Sequence, residues 1–239
     1  MKVLILGHKG MLGHMVAAFL DSKGFKIAYT DKKFPSIEFK NAVCNFDGGF
    51  IINCAGAISQ KTDKFEINWE LPQWLEEQTK FKIIYPGTDC DDDNDEYGLS
   101  KKQASEWIKE NGKRTKIIKT NVFGPEWDSS ASLMSWFLSQ ENEINGYTNY
   151  LSNGNTTLTW AQYCLYLMFN WDSHNTETIL HSECISKYDL LLLLKEIYQK
   201  EIKINPVDKP KKDKCLVGGV QTLPLKTQIL ALKEFCQYL

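Results

Sequence analysis

Residues 2–20, "KVLILGHKGMLGHMVAAFL", decide the fold. Val3–Leu6 form a short apolar run within an expected strand, residues 2–6. Three glycines follow, Gly7, Gly10 and Gly13, and the apolar residues then recur with a helical period. A strand, a glycine turn and a helix, in that order, offer backbone N–H groups and a positive dipole end to a pyrophosphate. Glycine at these points allows a tight turn, a close approach of backbone to phosphate, and close packing of helix on strand. The GxxGxxG spacing differs by one residue from the GxGxxG fingerprint of dinucleotide sites. Met11 and Leu12, between the last two glycines, would border the same ligand. Lys9, inside the turn, would reach a phosphate.

A dinucleotide site calls for an acid about 20 residues further on, at the end of the second strand. The sequence there is "AYTDKK", residues 28–33. Asp31 would accept from a ribose hydroxyl, while Lys32 and Lys33 would pair with a 2′-phosphate. The plainer alternative is a polar turn with solvated lysines. Two cations beside the acid favour NADP(H) over NAD(H) electrostatically.

Outward from this unit, short apolar runs alternate with helical patterns. Strands are expected at 2–6, 25–29, 42–44, 50–54, 81–85 and 115–119. Helices are expected at 11–23, 68–79 and 97–111. Pro72 suits a first helical turn, which would place the regular part of the second helix nearer 71. This alternation predicts a parallel sheet with crossover helices, a doubly wound α/β fold of the Rossmann type. After about residue 120 the texture changes, starting with the turn-rich "TNVFGPEWDSSAS". Helices are expected at 133–140, 159–169, 187–200 and 225–238, with strands near 147–151, 178–181 and 201–204. The five leucines 190–194 read as core. The expected organisation is a dinucleotide-binding domain over 1–122 and a smaller α/β substrate-binding region over 123–239, partly interleaved with it.

The bulk properties exclude several classes. The 239 residues suit one large domain or two small ones. A net charge of −2 gives no nucleic-acid surface. No segment reaches ~18 apolar residues, so no membrane span is expected. The apolar start of the chain is too short and too interrupted for a signal peptide. Seven cysteines (44, 54, 90, 164, 184, 215, 236) are scattered without a CxxC pair, which suggests neither zinc nor a disulfide framework. Reduced thiols and a cytosolic, cytoplasmic setting follow. His8 and His14 flank the glycine turn without metal-like partners, so no metal is proposed. His181, inside a strand, reads as structural. Trp127, Trp136 and Trp160 read as packing residues. Oligomeric state stays open, a homodimer being one outcome.

The chemistry concentrates in residues 88–101, "TDCDDDNDEYGLSK". Tyr97 and Lys101 stand i, i+4 and so share a helix face. A phenol with a pKa near ~10 is a poor acid or base at neutral pH. An ammonium one turn away lowers that pKa and can also bond a ribose. Thr88 follows a strand placed at the carboxyl edge of the sheet, where open α/β sheets bind ligands. Its hydroxyl would hold a carbonyl oxygen for the Tyr. The plainer alternatives are a surface Tyr stacked on a Lys stem and a simple turn Thr. Five acids within 91–96 read as a loop capping the next helix, with Asn94 or Asp95 as N-cap.

Gly7/Gly10/Gly13, "INCAG" (52–56), "GTDC" (87–90), "YGLSK" (97–101) and "IIKTNVFG" (117–124) together resemble the extended short-chain dehydrogenase/reductases. The likeness is to their nucleotide-sugar branch, typified by dTDP-4-dehydrorhamnose reductase. "EINWELPQWLEE" (66–77) and "LHSECISKYDLLLLLKEI" (180–197) extend it over most of the chain. The resemblance implies that Thr88, Tyr97 and Lys101 form a catalytic set. It implies that Ala55 and Gly56 border the cofactor, and that Thr120, Asn121 and Val122 line its nicotinamide side. The implied reaction is reduction of the 4-keto group of a nucleotide-activated deoxysugar. Only eight residues separate Thr88 from Tyr97, fewer than that family usually has.

Cys90, two residues after Thr88, resembles the bifunctional nucleotide-sugar 3- or 3,5-epimerase/4-reductases, where a Cys at this offset works on the sugar ring. It reads equally as a small packed thiol. No His in the 123–137 stretch offers the basic partner such a Cys would need. Lys209, Lys211, Lys212 and Lys214 are either diphosphate contacts or a solvated loop. A non-catalytic NADP-sensing protein on the same fold is a third reading, since fold does not fix function.

Overall fold

In a computed structural model, which describes residues 1–91 and 93–237, the first half alternates strand and helix. The order is β1 (Lys2–Leu6), α1 (Met11–Ser22), β2 (Lys26–Tyr29), α2 (Ile37–Cys44), β3 (Phe50–Asn53), α3 (Ile67–Gln78), β4 (Lys82–Gly87), α4 (Glu96–Asn111) and β5 (Thr115–Lys119). The second half runs β6 (Val122–Phe123), α5 (Leu133–Ser139), β7 (Glu143–Tyr147), β8 (Tyr150–Ser152), β9 (Asn155–Thr156), α6 (Thr157–Phe169), β10 (Glu177–His181), β11 (Ile185–Ser186), α7 (Lys187–Tyr198), β12 (Lys203–Val207), β13 (Lys212–Lys214), β14 (Val220–Gln221) and α8 (Leu225–Cys236).

Seven strands form one parallel sheet in the order β14-β10-β5-β4-β3-β1-β2. Both faces are covered, which explains the unbroken apolar runs. Val3 and Ile5 of β1 pack with Met15, Val16 and Leu20 on one side. Leu4 and Leu6 pack with Phe39, Leu71 and Leu75 on the other. The chain leaves β1 toward β2 and then crosses to β3 on the far side. This reversal opens a crevice beyond the carboxyl ends of β1 and β3, where ligands of such sheets bind. The fold is a doubly wound Rossmann-type α/β fold. Strands β10 and β14 come from beyond residue 122, so the large sheet draws on both halves.

Three small sheets lie outside it: β11-β8-β13, β12-β7 and β6-β9. The first of these brings two distant cysteines together. Cys184 precedes β11 and Cys215 follows β13, and both strands flank β8. The two join in a disulfide with a Cα–Cα distance of 5.8 Å. This corrects the expectation of reduced thiols throughout. The pairing rests on strand neighbourhood and leaves no spacing motif.

Other expectations are also corrected. Residues 42–44 end a helix rather than forming a strand. The Ser36 side chain accepts from Phe39 N–H and caps α2, and Phe39 and Val43 are buried one turn apart. The strand near 147–151 is two strands, β7 and β8. Leu192 breaks the leucine core, being 38% exposed while Leu190, Leu191 and Leu194 are buried. Pro72 sits inside α3 rather than in its first turn. The last helix is Leu225–Cys236; Tyr238, expected in it, lies outside the described residues. Among the described residues, no helix is long and apolar enough to cross a membrane.

Candidate active site

The glycine turn closes β1 onto α1 by steric need. Gly7 has φ +73°, and a Cβ there would stand 2.7 Å from the Ala55 backbone. A Cβ on Gly13 would stand 2.1 Å from the Gly7 carbonyl oxygen, so helix and strand touch through bare backbone. Gly10 starts α1, and no side chain caps the helix. Its first N–H groups are left to a ligand, as a phosphate-binding turn requires. These features fit a dinucleotide pyrophosphate.

Asp31 is engaged by the turn itself. Lys9 Nζ lies 2.6 Å from its carboxylate and His8 Nε2 3.6 Å. The hydrogen bond from Lys9 holds the Asp31 carboxyl below its usual range. The His8 ring stacks on Tyr29 at 4.4 Å. Lys32 and Lys33 stay exposed.

A cleft of about 570 Å³ opens at the carboxyl edge of the sheet. Among the expected site residues, Met11, Leu12, Ala55, Gly56, Thr88, Cys90, Tyr97, Lys101, Thr120, Asn121 and Val122 all line it. Gly7, Lys9, Gly10, Gly13, Asp31, Lys32 and Lys33 are not among its lining residues. A broader, open groove along α7 and β12, about 730 Å³, holds none of these groups.

Helix α4 delivers Tyr97 and Lys101. Asp95 is its N-cap, accepting from Gly98 N–H at 2.7 Å. Burial pushes the Tyr97 phenol up to about 12, the negative charge of a Cys90 thiolate adds to this, and the Thr88 hydroxyl opposes it. Lys101 makes its hydrogen bonds away from Tyr97. Its ammonium donates to Tyr85 Oη and the Pro86 carbonyl, each at 2.7 Å. Burial pushes Lys101 down to about 7. At neutral pH Tyr97 therefore keeps its proton and can give it.

The acidic stretch is not simply solvated. Asp91 is buried and pairs with Lys119 of β5 at 2.7 Å. Asp93 pairs with Lys214 of β13 at 2.5 Å, across 121 residues of chain. These pairs tie the β4–α4 loop to the large sheet and to the small one.

Several cleft residues were not found by sequence reasoning. Asp89 Oδ2 accepts from Asn121 Nδ2 at 2.9 Å. Its Oδ1 accepts from the Thr88 hydroxyl at 3.3 Å and from Cys90 Sγ at 3.5 Å. Burial pushes the Cys90 thiol up to about 12, and Asp89 adds to this. Lys187, at the start of α7, lines the same cleft. Its ammonium lies 3.6 Å from the centroid of the Tyr150 ring, and burial lowers its pKa. Lys187 is thus a basic side chain lining the cleft that also holds Cys90. Lys212 also lines the cleft, whereas Lys209 and Lys211 stay exposed. Trp160 is core, Trp136 packs against the core, and Trp127 is exposed, edge-on to His14. His181 Nδ1 lies 3.0 Å from the neighbouring Ser182 carbonyl oxygen, which fits a structural role.

No protein-family model matches the chain, and no curated protein does. Solved structures match it along its whole length. A dTDP-4-dehydrorhamnose reductase ortholog from Clostridium acetobutylicum is 18% identical with a TM-score of 0.77, over 99% of this chain and 100% of that one. A dTDP-4-dehydrorhamnose reductase from Bacillus anthracis, in complex with NADP, is 15% identical with a TM-score of 0.75, over 100% and 99%. A UDP-glucose 4-epimerase from Thermotoga maritima, with UDP-glucose, is 16% identical with a TM-score of 0.75, over 100% and 99%. The chain shares their fold. At such identities the likeness is one of fold, and the chemistry has to be argued from the cleft.

Proposed function

We propose that the protein is an oxidoreductase of the extended short-chain dehydrogenase/reductase kind. In this reading it reduces the 4-keto group of a nucleotide-activated deoxysugar with NADP(H). The observation that carries the reading is convergence: Thr88, Tyr97 and Lys101 line one cleft with Met11, Leu12, Ala55 and Gly56 beside the glycine turn. The solved structures of the same fold include a nucleotide-sugar reductase in complex with NADP, which supports the choice of cofactor and substrate class.

NADPH, when bound, supplies hydride. Its pyrophosphate would lie on the N–H groups at the start of α1, and Lys32 and Lys33 would meet its 2′-phosphate. NAD(H) is the alternative should those lysines prove solvated. Thr88 would donate to the ketone oxygen and Tyr97 would give that oxygen its proton. Lys101 would spend its remaining N–H on a ribose hydroxyl. A sensor without catalysis would need neither the buried ammonium nor the protonated phenol. Residues 1–122 would hold the cofactor and 123–239 most of the substrate surface. The Cys184–Cys215 disulfide removes the reduced-thiol ground for a cytosolic setting, and a homodimer is the assembly to test.

A second reading adds epimerisation at C3 or C5, and the presence of both Lys187 and Cys90 in one cleft favours it. Lys187, as the free amine that its burial favours, would take the proton α to the ketone, and Cys90, protonated at neutral pH, would give its own to the opposite face. Solvent deuterium at C3 or C5 of the product, lost in Cys90→Ser, supports this reading; its absence in the wild type removes it.

The test of the first reading is NADPH oxidation with a panel of 4-keto nucleotide sugars. Tyr97→Phe should lower turnover by roughly 10²–10⁴-fold, with cofactor binding retained. Unchanged turnover would overturn the assignment.

A further inference from the structure

A proline inside a helix removes the N–H that would donate to the carbonyl four residues earlier. In α3 that proline is Pro72, and the carbonyl it frees is that of Asn68. A freed, buried carbonyl needs another donor. Here the donor is Tyr85, a side chain of β4 only 1% exposed, whose Oη donates to the Asn68 carbonyl at 3.0 Å. A phenol has one proton. With that proton committed to Asn68, the Tyr85 oxygen can only accept from its other neighbour, which is Lys101 Nζ at 2.7 Å.

We infer that Tyr85 is a positioning residue for Lys101, set by the Pro72 gap in α3, and that its oxygen favours the charged form of the buried side chain. The inference deepens the proposed reduction and rests on it for its purpose. Two of the three ammonium donors are taken by Tyr85 and Pro86, which leaves one to turn into the cleft. Asn68 is itself fixed. Its Oδ1 accepts from Ala57 N–H at 2.7 Å, and its Nδ2 donates to the Ala57 carbonyl and to Ser100 Oγ, each at 3.0 Å. The chain from the α3 backbone to the ammonium therefore has no loose member.

The charge of Lys101 depends on what surrounds it. Asp91 from the β4–α4 loop favours the ammonium, whereas burial opposes it more strongly; Cys54, just after β3, faces it as a neutral thiol whose pKa burial raises well above neutral. Asp91 is itself paired with Lys119 of β5. Tyr97 stands one turn earlier on the same helix, and Tyr85 packs from β4. Loss of the Tyr85 oxygen removes a neutral acceptor and leaves the acids in place. The charged form then becomes less favourable, so the midpoint of Lys101 falls.

The experiment is a pH titration of 13C-labelled lysine by NMR, with Lys101→Met used for assignment. In Tyr85→Phe the Lys101 midpoint should fall by about one pH unit, about the size of one hydrogen bond to a charged group. Pro72→Ala should lower it too, by less. Restoring the N–H at 72 gives the Asn68 carbonyl its helical partner and loosens Tyr85. A merely structural tyrosine would cost thermal stability and leave the midpoint in place. If Tyr85→Phe does not fold, Pro72→Ala decides alone, since removing an interior proline does not weaken the helix. An unmoved midpoint in the folded variant overturns the inference. The titration needs no turnover, so its failure is separate from that of the proposed reduction. Where turnover is found, the alkaline limb of kcat should move with the midpoint.

Discussion

The two edges of the cleft are built differently. At the cofactor edge the parts meet through backbone: the Gly7 turn, the uncapped start of α1 and the Ala55–Gly56 segment pressed against Gly7. At the reaction edge the parts come from far apart and are held by side chains. Asp91 reaches Lys119, Asp93 reaches Lys214, and Lys187 arrives from α7. The first edge has no room for an added atom at Gly7 or Gly13. The second tolerates change in shape but not an unpaired charge.

The largest effect is expected at the cofactor edge. Gly13→Val forces a side chain into the Gly7 carbonyl, where even a Cβ would stand 2.1 Å away. The backbone of β1 and α1 would have to separate, at more than about 3 kcal/mol. Thermal melting should drop sharply and NADPH binding should vanish by calorimetry. A stable, cofactor-binding Gly13→Val would break the comparison, because that edge would then not be set by backbone contact.

At the reaction edge the sharpest probe is Lys119→Met. Asp91 is buried, and its Oδ1 has no partner among the described residues. Removal of the ammonium leaves a buried carboxylate alone, which costs about 3–5 kcal/mol. The double change Asp91→Asn with Lys119→Met should recover most of that loss in denaturant unfolding. Failure of the recovery would show that Lys119 acts through packing rather than charge.

How much was legible beforehand follows the same division. The glycine turn, the acid after β2 and the Tyr97/Lys101 spacing are local patterns, and a local pattern survives in one sequence. The element order of the large sheet was legible for the same reason, because each strand–helix unit carries its own periodicity. Residues 42–44 misled because three apolar residues fit a strand as well as the end of a capped helix. The remainder depends on pairings at long range. Nothing near Cys184 marks Cys215 as its neighbour, and nothing near Asp93 marks Lys214. Lys187 was passed over because a basic group was sought near 123–137, whereas β11 and α7 carry it in from beyond 184. The acceptors of Lys101 were not legible because i, i+4 spacing fixes the shared face and not the acceptor. Tyr85 and the gap at Pro72 supplied an acceptor on the other side.

The smallest predicted effect lies at the bond between the two halves. The hydrogen bond from Lys214 holds the Asp93 carboxyl below its usual range. A depressed carboxyl contributes stability above its unfolded pKa, near ~3.9, and loses it as pH falls through the folded value. Lys214→Met should therefore cost about 1 kcal/mol at neutral pH, as expected of a pair that is partly solvated. The difference from wild type should shrink below about pH 4 and be gone once Asp93 is protonated in both states. Thermal melts across that range read this directly. Binding of a nucleotide sugar should weaken in parallel, because β13 also carries Lys212 into the cleft. A Lys214→Met protein that melts as wild type at every pH, yet binds substrate poorly, would assign the lysine to the ligand instead of the loop. The reaction edge would then be held by the Asp91–Lys119 pair, and the acidic stretch would have one anchor, in the large sheet, rather than two.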